Sequence, residues 1–109
     1  MKKLIVIAIA LAGLTAWTTR AADARTIYEE QCAKCHGKEG KGETKMGQKL
    51  GAKDYSTAKV QDEMKDDAAY KAIKEGLKDK DGKTLMKPTE GVSDGDIKGL
   101  IAYMRTFKK

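Results

Sequence analysis

Two cysteines and a histidine stand together near the start of the chain, in the segment Cys32-Ala33-Lys34-Cys35-His36. On one helical turn, residues i and i+3 lie on the same face, so each sulfur can add to one vinyl group of a single porphyrin. The next residue, His36, can then direct an imidazole nitrogen at the iron from one side of the ring. The spacing therefore predicts covalently attached haem c, one per chain, with His36 as the proximal ligand.

Three other interpretations of the same residues stay open. A C-x-x-C pair can be a thioredoxin-like redox couple, although that needs a βαβ surround, and no alternating β-branched run flanks this pair. The pair can be half of a zinc site, but the chain has two cysteines and one histidine in total, whereas a closed structural zinc site takes four ligands. A disulfide between the two cysteines is the third interpretation.

The function depends on what occupies the other side of the iron. With no second histidine, methionine is the leading candidate. Met86 lies in an irregular segment fifty residues after His36, and Pro88 stiffens the backbone that must present the sulfur. The other candidate methionines either lie on apolar helical stripes, where this residue usually packs in a core, or follow the histidine closely: Met64, Met104 and Met46. We therefore predict Met86 as the second ligand.

Four helices are predicted to position these residues. The first, over about 26–35, carries Tyr28 on the same stripe as the two cysteines. The second covers about 57–64, and the third is capped by Asp66 or Asp67 and ends near Gly76. Residues 37–54 contain five glycines and are predicted to be a long loop, and residues 78–87 a turn followed by an extended strap, with no strand anywhere.

The fourth predicted helix covers about 93–107. Ser93 and Asp96 have the spacing of a capping box, in which each side chain bonds the backbone N–H of the other residue. Apolar residues then recur at helical spacing from residue 97 to residue 107. We expect this stripe to pack across the first helix near Ile27 and Tyr28.

The first residues have the three parts of a secretory signal peptide. Lys2 and Lys3 precede an uncharged run of 14 residues, and Ala22-Asp23-Ala24 has the small-residue pattern of a cleavage site. The run is shorter than the roughly 20 residues that span a bilayer. We therefore predict a signal peptide over 1–24 and one domain over 25–109, exported to the periplasm without stable membrane insertion.

Charge and size limit the classes of partner. The formal net charge is +6, and it falls to +4 without the first 24 residues, which carry three basic residues and one acidic residue. Basic and acidic residues are interspersed, so nucleic acid is not expected, whereas a modest positive excess favours redox partner proteins with acidic docking surfaces. Lys34, Lys45 and Lys87 are candidates for such docking, with ordinary surface lysines as the equal alternative. A domain of 85 residues has a marginal core, which a haem would supplement, and we expect a monomer.

Several segments together resemble one family, the small single-haem class I cytochromes c of bacteria. The similarity lies in the Cys32–Gly37 segment, in Met86-Lys87-Pro88, and in the final helix through residues 93–97 and 102–104. The resemblance implies an all-α, cytochrome c-like fold of about four helices around the haem, with the N- and C-terminal helices crossing. It also implies His36 and Met86 as iron ligands and one-electron carriage between redox proteins, with no enzymatic activity.

The sequence departs from this family at one point. Its members often have a proline after the histidine whose carbonyl orients the imidazole, but Pro88 is the single proline here. We expect a backbone carbonyl in the 40–51 segment to take that role for His36. The alternative function is a haem sensor or peroxidase-like module with an open distal position, which would need a distal acid or base in addition to His36.

Overall fold

The computed structural model describes residues 23–109, so residues 1–22 of the predicted signal peptide lie outside the described part. The described chain contains five helices and one short hairpin, which confirms the predicted all-α class. These elements are α1 (23–36, with a π-helical turn at Tyr28–Cys32 and a last turn at Ala33–His36), α2 (Lys45–Leu50), α3 (Ala58–Glu63), α4 (Asp66–Glu75), β1 (Leu77–Lys78), β2 (Thr84–Met86) and α5 (Asp94–Arg105).

Helices α1 and α5 pack against each other, as predicted. Tyr28 of α1 is fully buried, and its ring centroid lies 5.3 Å from that of Tyr103 and 5.2 Å from that of Phe107. The buried core cluster combines residues from α1, α4 and α5: Tyr28, Cys32, Ile73, Ile97, Leu100, Ile101 and Met104. Since Cys32 belongs to this cluster, the candidate site is built directly on the core.

The ends of α4 and α5 follow local sequence signals, with one exception. At the start of α5, the Ser93 hydroxyl accepts from the Asp96 N–H at 3.1 Å and the Asp96 carboxylate accepts from the Ser93 N–H at 3.0 Å, which confirms the capping box. Gly76, with φ of +84°, ends α4 as predicted. The prediction that Asp66 or Asp67 caps α4 is wrong, because Lys65 is the N-cap residue and makes no side-chain cap bond.

The predicted loop over 37–54 contains the helix α2, which is a correction to the sequence analysis. The Thr44 hydroxyl accepts from the Gly47 N–H at 2.8 Å and caps the helix, while Gly51, with φ of +79°, ends it in the left-handed conformation. A helix of six residues with a glycine in its interior has too few apolar positions to form a stripe, which is why the pattern did not predict it.

The second correction is the hairpin, where no strand was expected. Leu77 pairs with Met86 in antiparallel register. The carboxylate of Asp79 closes the turn by accepting from the N–H groups of Asp81 and Lys83, each at 2.9 Å. Strands of two and three residues are too short to show an alternation of apolar and polar residues. The local sign of the hairpin is therefore Asp79, whose side chain favours a turn.

Ala24, the last residue of the predicted signal peptide, is packed in the described fold. Ala24 is buried, with 5% of its surface exposed, and its Cβ lies 3.5 Å from the position that a Cβ at Gly99 of α5 would take. The helical packing thus includes the residue after which cleavage is predicted. In residues 23–109, no helix is long and apolar enough to cross a membrane.

Candidate functional site

The two cysteines lie at the C-terminal end of α1, on either side of a change in helix type. Up to Cys32 the turn is π-helical, and the Ala33 N–H donates to the carbonyl of Tyr28, five residues earlier. Such turns are frequent at functional sites. Cys32 is buried, Cys35 is half-buried, and the structure has both as free thiols. The predicted attachment residues therefore share one short helical segment at the edge of the core.

The electrostatic environment of Cys32 is that of a buried thiol. Burial, reinforced by the nearby Cys35, raises the pKa of Cys32 to about 11. A redox-active C-x-x-C pair instead needs a thiol whose pKa is lowered. No group of three or more His, Cys, Asp or Glu side chains in residues 23–109 comes together to hold a metal ion. The raised pKa of Cys32 weighs against the thioredoxin-like interpretation.

The imidazole of His36 lies at the last residue of α1. Its Nδ1 atom is buried and has no hydrogen-bond partner among the described residues. Burial lowers the pKa of His36, which favours the neutral imidazole, the form that binds metals. The ring of Tyr55 lies edge-on to it, with centroids 5.8 Å apart. The expected acceptor, a backbone carbonyl in the 40–51 segment, is not bonded to Nδ1, so that prediction is wrong.

The 40–51 segment holds the backbone of α1 instead of the imidazole. The Thr44 hydroxyl donates to the carbonyl of Cys35 at 2.8 Å, and the Gly42 N–H donates to the carbonyl of His36 at 2.8 Å. Helix α2 sits so close that a Cβ on Gly47 would lie 2.1 Å from the Cys35 carbonyl oxygen. The last carbonyls of a helix lack partners within the helix, and here the following segment supplies them.

Tyr28 secures the same end of α1 from inside the core. Its hydroxyl donates to the carbonyl of Gly37 at 2.6 Å, and burial raises its pKa above the usual range for tyrosine. The neutral hydroxyl is therefore a permanent donor. The backbone on both sides of His36 is thus fixed, by Thr44 before it and by Tyr28 after it.

Met86 approaches the core from β2. It is half-buried and packs against the core cluster that includes Cys32. A Cβ on Gly76 would lie 2.6 Å from the Met86 carbonyl oxygen, so the end of α4 lies directly against this residue. The segment continues to Thr89, whose N–H donates to the carbonyl of Ile73 at 2.9 Å.

The other methionines occupy different environments. Met104 is buried in the core cluster, which confirms its prediction as a packing residue. Met64 follows the last residue of α3 and is half-buried, so it does not lie on a helical stripe as predicted. Met46 lies on α2 with 43% of its surface exposed. Of the four, Met86 alone is both half-buried and packed against the core cluster from an extended segment.

Besides Thr44, Gly47 and Tyr55, sequence reasoning missed Gln31. Its side-chain amide donates to the carbonyl of Glu90 at 2.9 Å and accepts from the N–H of Glu90 at 3.0 Å. The two residues are 59 positions apart. No local pattern marks such a pair, because an exposed glutamine on a helix is compatible with any surface.

Comparisons with known proteins give a consistent result. The sequence profile of the family described as cytochrome c oxidase, cbb3-type, subunit III matches residues 19–104. The fold is similar to that of the solved KustC0563 c-type cytochrome, with 30% identity, a TM-score of 0.67, and coverage of 79% of this chain and 98% of that one. A tyrosine-to-phenylalanine mutant of Kustc0563 gives 29% identity, a TM-score of 0.65, and coverage of 79% and 99%. No curated protein matches significantly.

Proposed function

Because this chain belongs to the family of cbb3-type cytochrome c domains and is a small c-type cytochrome, we propose that it is a periplasmic electron carrier with iron held by His36 and Met86. Family membership makes it an electron-transfer haem protein with covalently bound haem c and the cytochrome c-like fold. When bound, the haem supplies an iron that accepts and returns one electron. What we propose beyond family membership is that His36 and Met86 bind the iron and that the protein is exported to the periplasm.

The placement of Cys32, Cys35 and His36 on the last turns of one helix is the observation that carries the proposal. The carbonyls on both sides of His36 accept from the Thr44 and Tyr28 hydroxyls, which holds this end of the helix at the edge of the core. This histidine directly follows Cys35, and it is the one histidine of the sequence. The donor set thus fits haem c, with Cys32 and Cys35 holding it through thioethers and His36 supplying a neutral imidazole.

Met86 would supply the second ligand from the last position of β2. Its thioether favours the ferrous state and so raises the reduction potential. Its half-buried position against the core cluster limits access of water, and the packing of Met86 on Gly76 holds the backbone in place. With both ligands provided by the chain, an electron can arrive and leave without substrate binding, which is what a carrier requires.

The surface supports exchange with protein partners. Lys34, Lys45 and Lys87 are exposed, and none of them forms an ion pair within residues 23–109. Exposed, unpaired lysines can steer an acidic partner at low ionic strength. Export through the signal peptide over 1–24 would place the mature domain, 25–109, in the periplasm with these partners.

Carbon monoxide binding separates this carrier from the rival function, a sensor or peroxidase-like module with an open distal position. The ferrous wild-type protein is expected not to bind carbon monoxide at neutral pH, because Met86 occupies the second position. A redox titration should show one reversible one-electron step. Ready binding of carbon monoxide by the wild type would contradict the proposal and favour the open-site function.

A further inference from the structure

The Gln31 side chain joins α1 to the segment that follows Met86. Its amide bonds both backbone polar groups of Glu90, the carbonyl at 2.9 Å and the N–H at 3.0 Å. Two bonds to one residue fix its orientation as well as its distance. Gln31 directly precedes Cys32 and lies within the π-helical turn. The contact therefore connects the helix that carries the C-x-x-C-H motif with the segment that carries the proposed second ligand.

Apart from the packing of Met86 on the core cluster, the other backbone contacts of this segment lead to α4 and the hairpin. Met86 pairs with Leu77 in the hairpin, and the Thr89 N–H donates to the carbonyl of Ile73 in α4. Both bonds hold the segment to α4 and its hairpin. If α4 and the hairpin shifted together relative to α1, Met86 would move relative to His36 while both of these contacts stayed intact. The bonds from Gln31 to Glu90 oppose that shift.

The backbone between Met86 and Glu90 can transmit this restraint. Three residues separate them, and one is Pro88, whose ring fixes φ. The Pro88 Cδ lies 3.0 Å from the position that a Cβ on Gly76 would take, so the segment rests closely on the end of α4. Because it is short and stiff, holding Glu90 limits the movement of Met86.

We propose that Gln31 is a positioning residue for Met86: by holding Glu90 against α1, it keeps the Met86 sulfur at the iron and keeps small ligands out. This inference rests on the proposed function, since it requires Met86 as a ligand. Within residues 23–109, the side-chain hydrogen bonds of Gln31 go to Glu90 and not to His36 or Met86. Its loss should raise the population of states in which Met86 has moved away.

Cyanide binding to the ferric haem protein tests the proposal, because cyanide binds where Met86 has left. In Gln31→Ala we expect the binding rate to rise about tenfold, which corresponds to about 1.4 kcal/mol, a size typical of two exposed neutral hydrogen bonds. Gln31→Glu retains an acceptor for the Glu90 N–H but turns a carboxylate oxygen toward the Glu90 carbonyl, which accepted from the amide at 2.9 Å, so the rate should rise at least as much as in Gln31→Ala. Gln48→Ala is the matched control, since its exposed amide donates to the Glu43 carbonyl at 3.2 Å, and the rate should not change.

Amide hydrogen exchange gives a second readout that does not depend on the iron. In Gln31→Ala the Glu90 N–H should exchange about tenfold faster, whereas the Thr89 N–H, bonded to Ile73, should keep its wild-type rate. This pattern would show that the segment around Glu90 has separated from α1 while it stays bonded to α4.

The outcomes separate this inference from the proposed function. If Met86→Ala loses the sulfur-to-iron charge-transfer band but Gln31→Ala binds cyanide within about twofold of the wild-type rate, Gln31 has no positioning role and the carrier proposal stands. If Met86→Ala retains that band, Met86 is not a ligand, and both proposals fail.

Discussion

Gly47 is the residue at which the packing of α2 on the cysteine-bearing helix can be tested most sharply. A Cβ there would lie 2.1 Å from the carbonyl oxygen of Cys35 and 2.9 Å from both the carbonyl oxygen of Gly42 and the Thr44 hydroxyl. Since non-bonded carbon and oxygen atoms need more than 3 Å, Gly47→Ala forces α2 away from the end of α1. The bond from the Thr44 hydroxyl to the Cys35 carbonyl cannot survive that displacement unchanged.

The magnitude follows from three contributions. Overpacking costs about 1–3 kcal/mol, and the weakened Thr44 bond about 0.5–1.5 kcal/mol. Replacing a helical glycine by alanine returns up to about 1 kcal/mol. The free energy of unfolding should therefore fall by about 2 kcal/mol, and for a domain of this size Tm should fall by roughly 8–16 °C.

Thermal unfolding of the haem-loaded proteins, followed by circular dichroism, measures this change. Gly95→Ala is the matched control, because it is also a helical glycine and its Cβ would meet only the Ser93 hydroxyl, at 3.7 Å. That variant should be as stable as the wild type or slightly more stable. If Gly47→Ala and Gly95→Ala unfold within about 2 °C of each other, α2 does not pack on the Cys35 carbonyl as described.

Three further predictions concern attachment, the core and processing. Cys32→Ala/Cys35→Ala should abolish haem staining after denaturing electrophoresis, and an unstained wild-type band would disprove covalent attachment. Tyr28→Phe keeps the buried ring but loses the 2.6 Å bond to the Gly37 carbonyl, so denaturant titration should show a fall of about 1 kcal/mol in the free energy of unfolding. Tyr103→Phe is the control, because the Tyr103 hydroxyl makes no hydrogen bond within residues 23–109, and it should leave the free energy of unfolding unchanged. Equal losses in the two variants would refute the role of the Tyr28 bond. The intact mass of the exported protein should place its N-terminus at Arg25, whereas a start at Asp23 would show that the buried Ala24 is retained.

The sequence was most informative where function or packing imposes a local pattern. The spacing of Cys32, Cys35 and His36 needs one helical turn, and the capping box at Ser93 with the apolar stripe behind it predicted α5 nearly to its ends. Each of these two signals consists of residues that are close together in the sequence, so helical spacing reveals them.

Contacts between distant residues could not be predicted in this way. The bonds from Gln31 to Glu90 join positions 59 residues apart, and nothing in either neighbourhood requires them. Helix α2 depends on the close approach of Gly47 to Cys35, which is a tertiary contact that a loop-like composition conceals. The missing acceptor for the His36 imidazole has the same origin, because the carbonyls of a nearby segment can face any direction.

The sulfur-to-iron charge-transfer band of the ferric protein reports whether Met86 binds the iron. We expect the wild type to show this band and Met86→Ala to lose it while keeping covalent haem. The volume-conserving Met46→Leu, Met64→Leu and Met104→Leu should retain it. Persistence of the band in Met86→Ala, or its loss in Met46→Leu, would contradict the assignment of Met86 as the iron ligand.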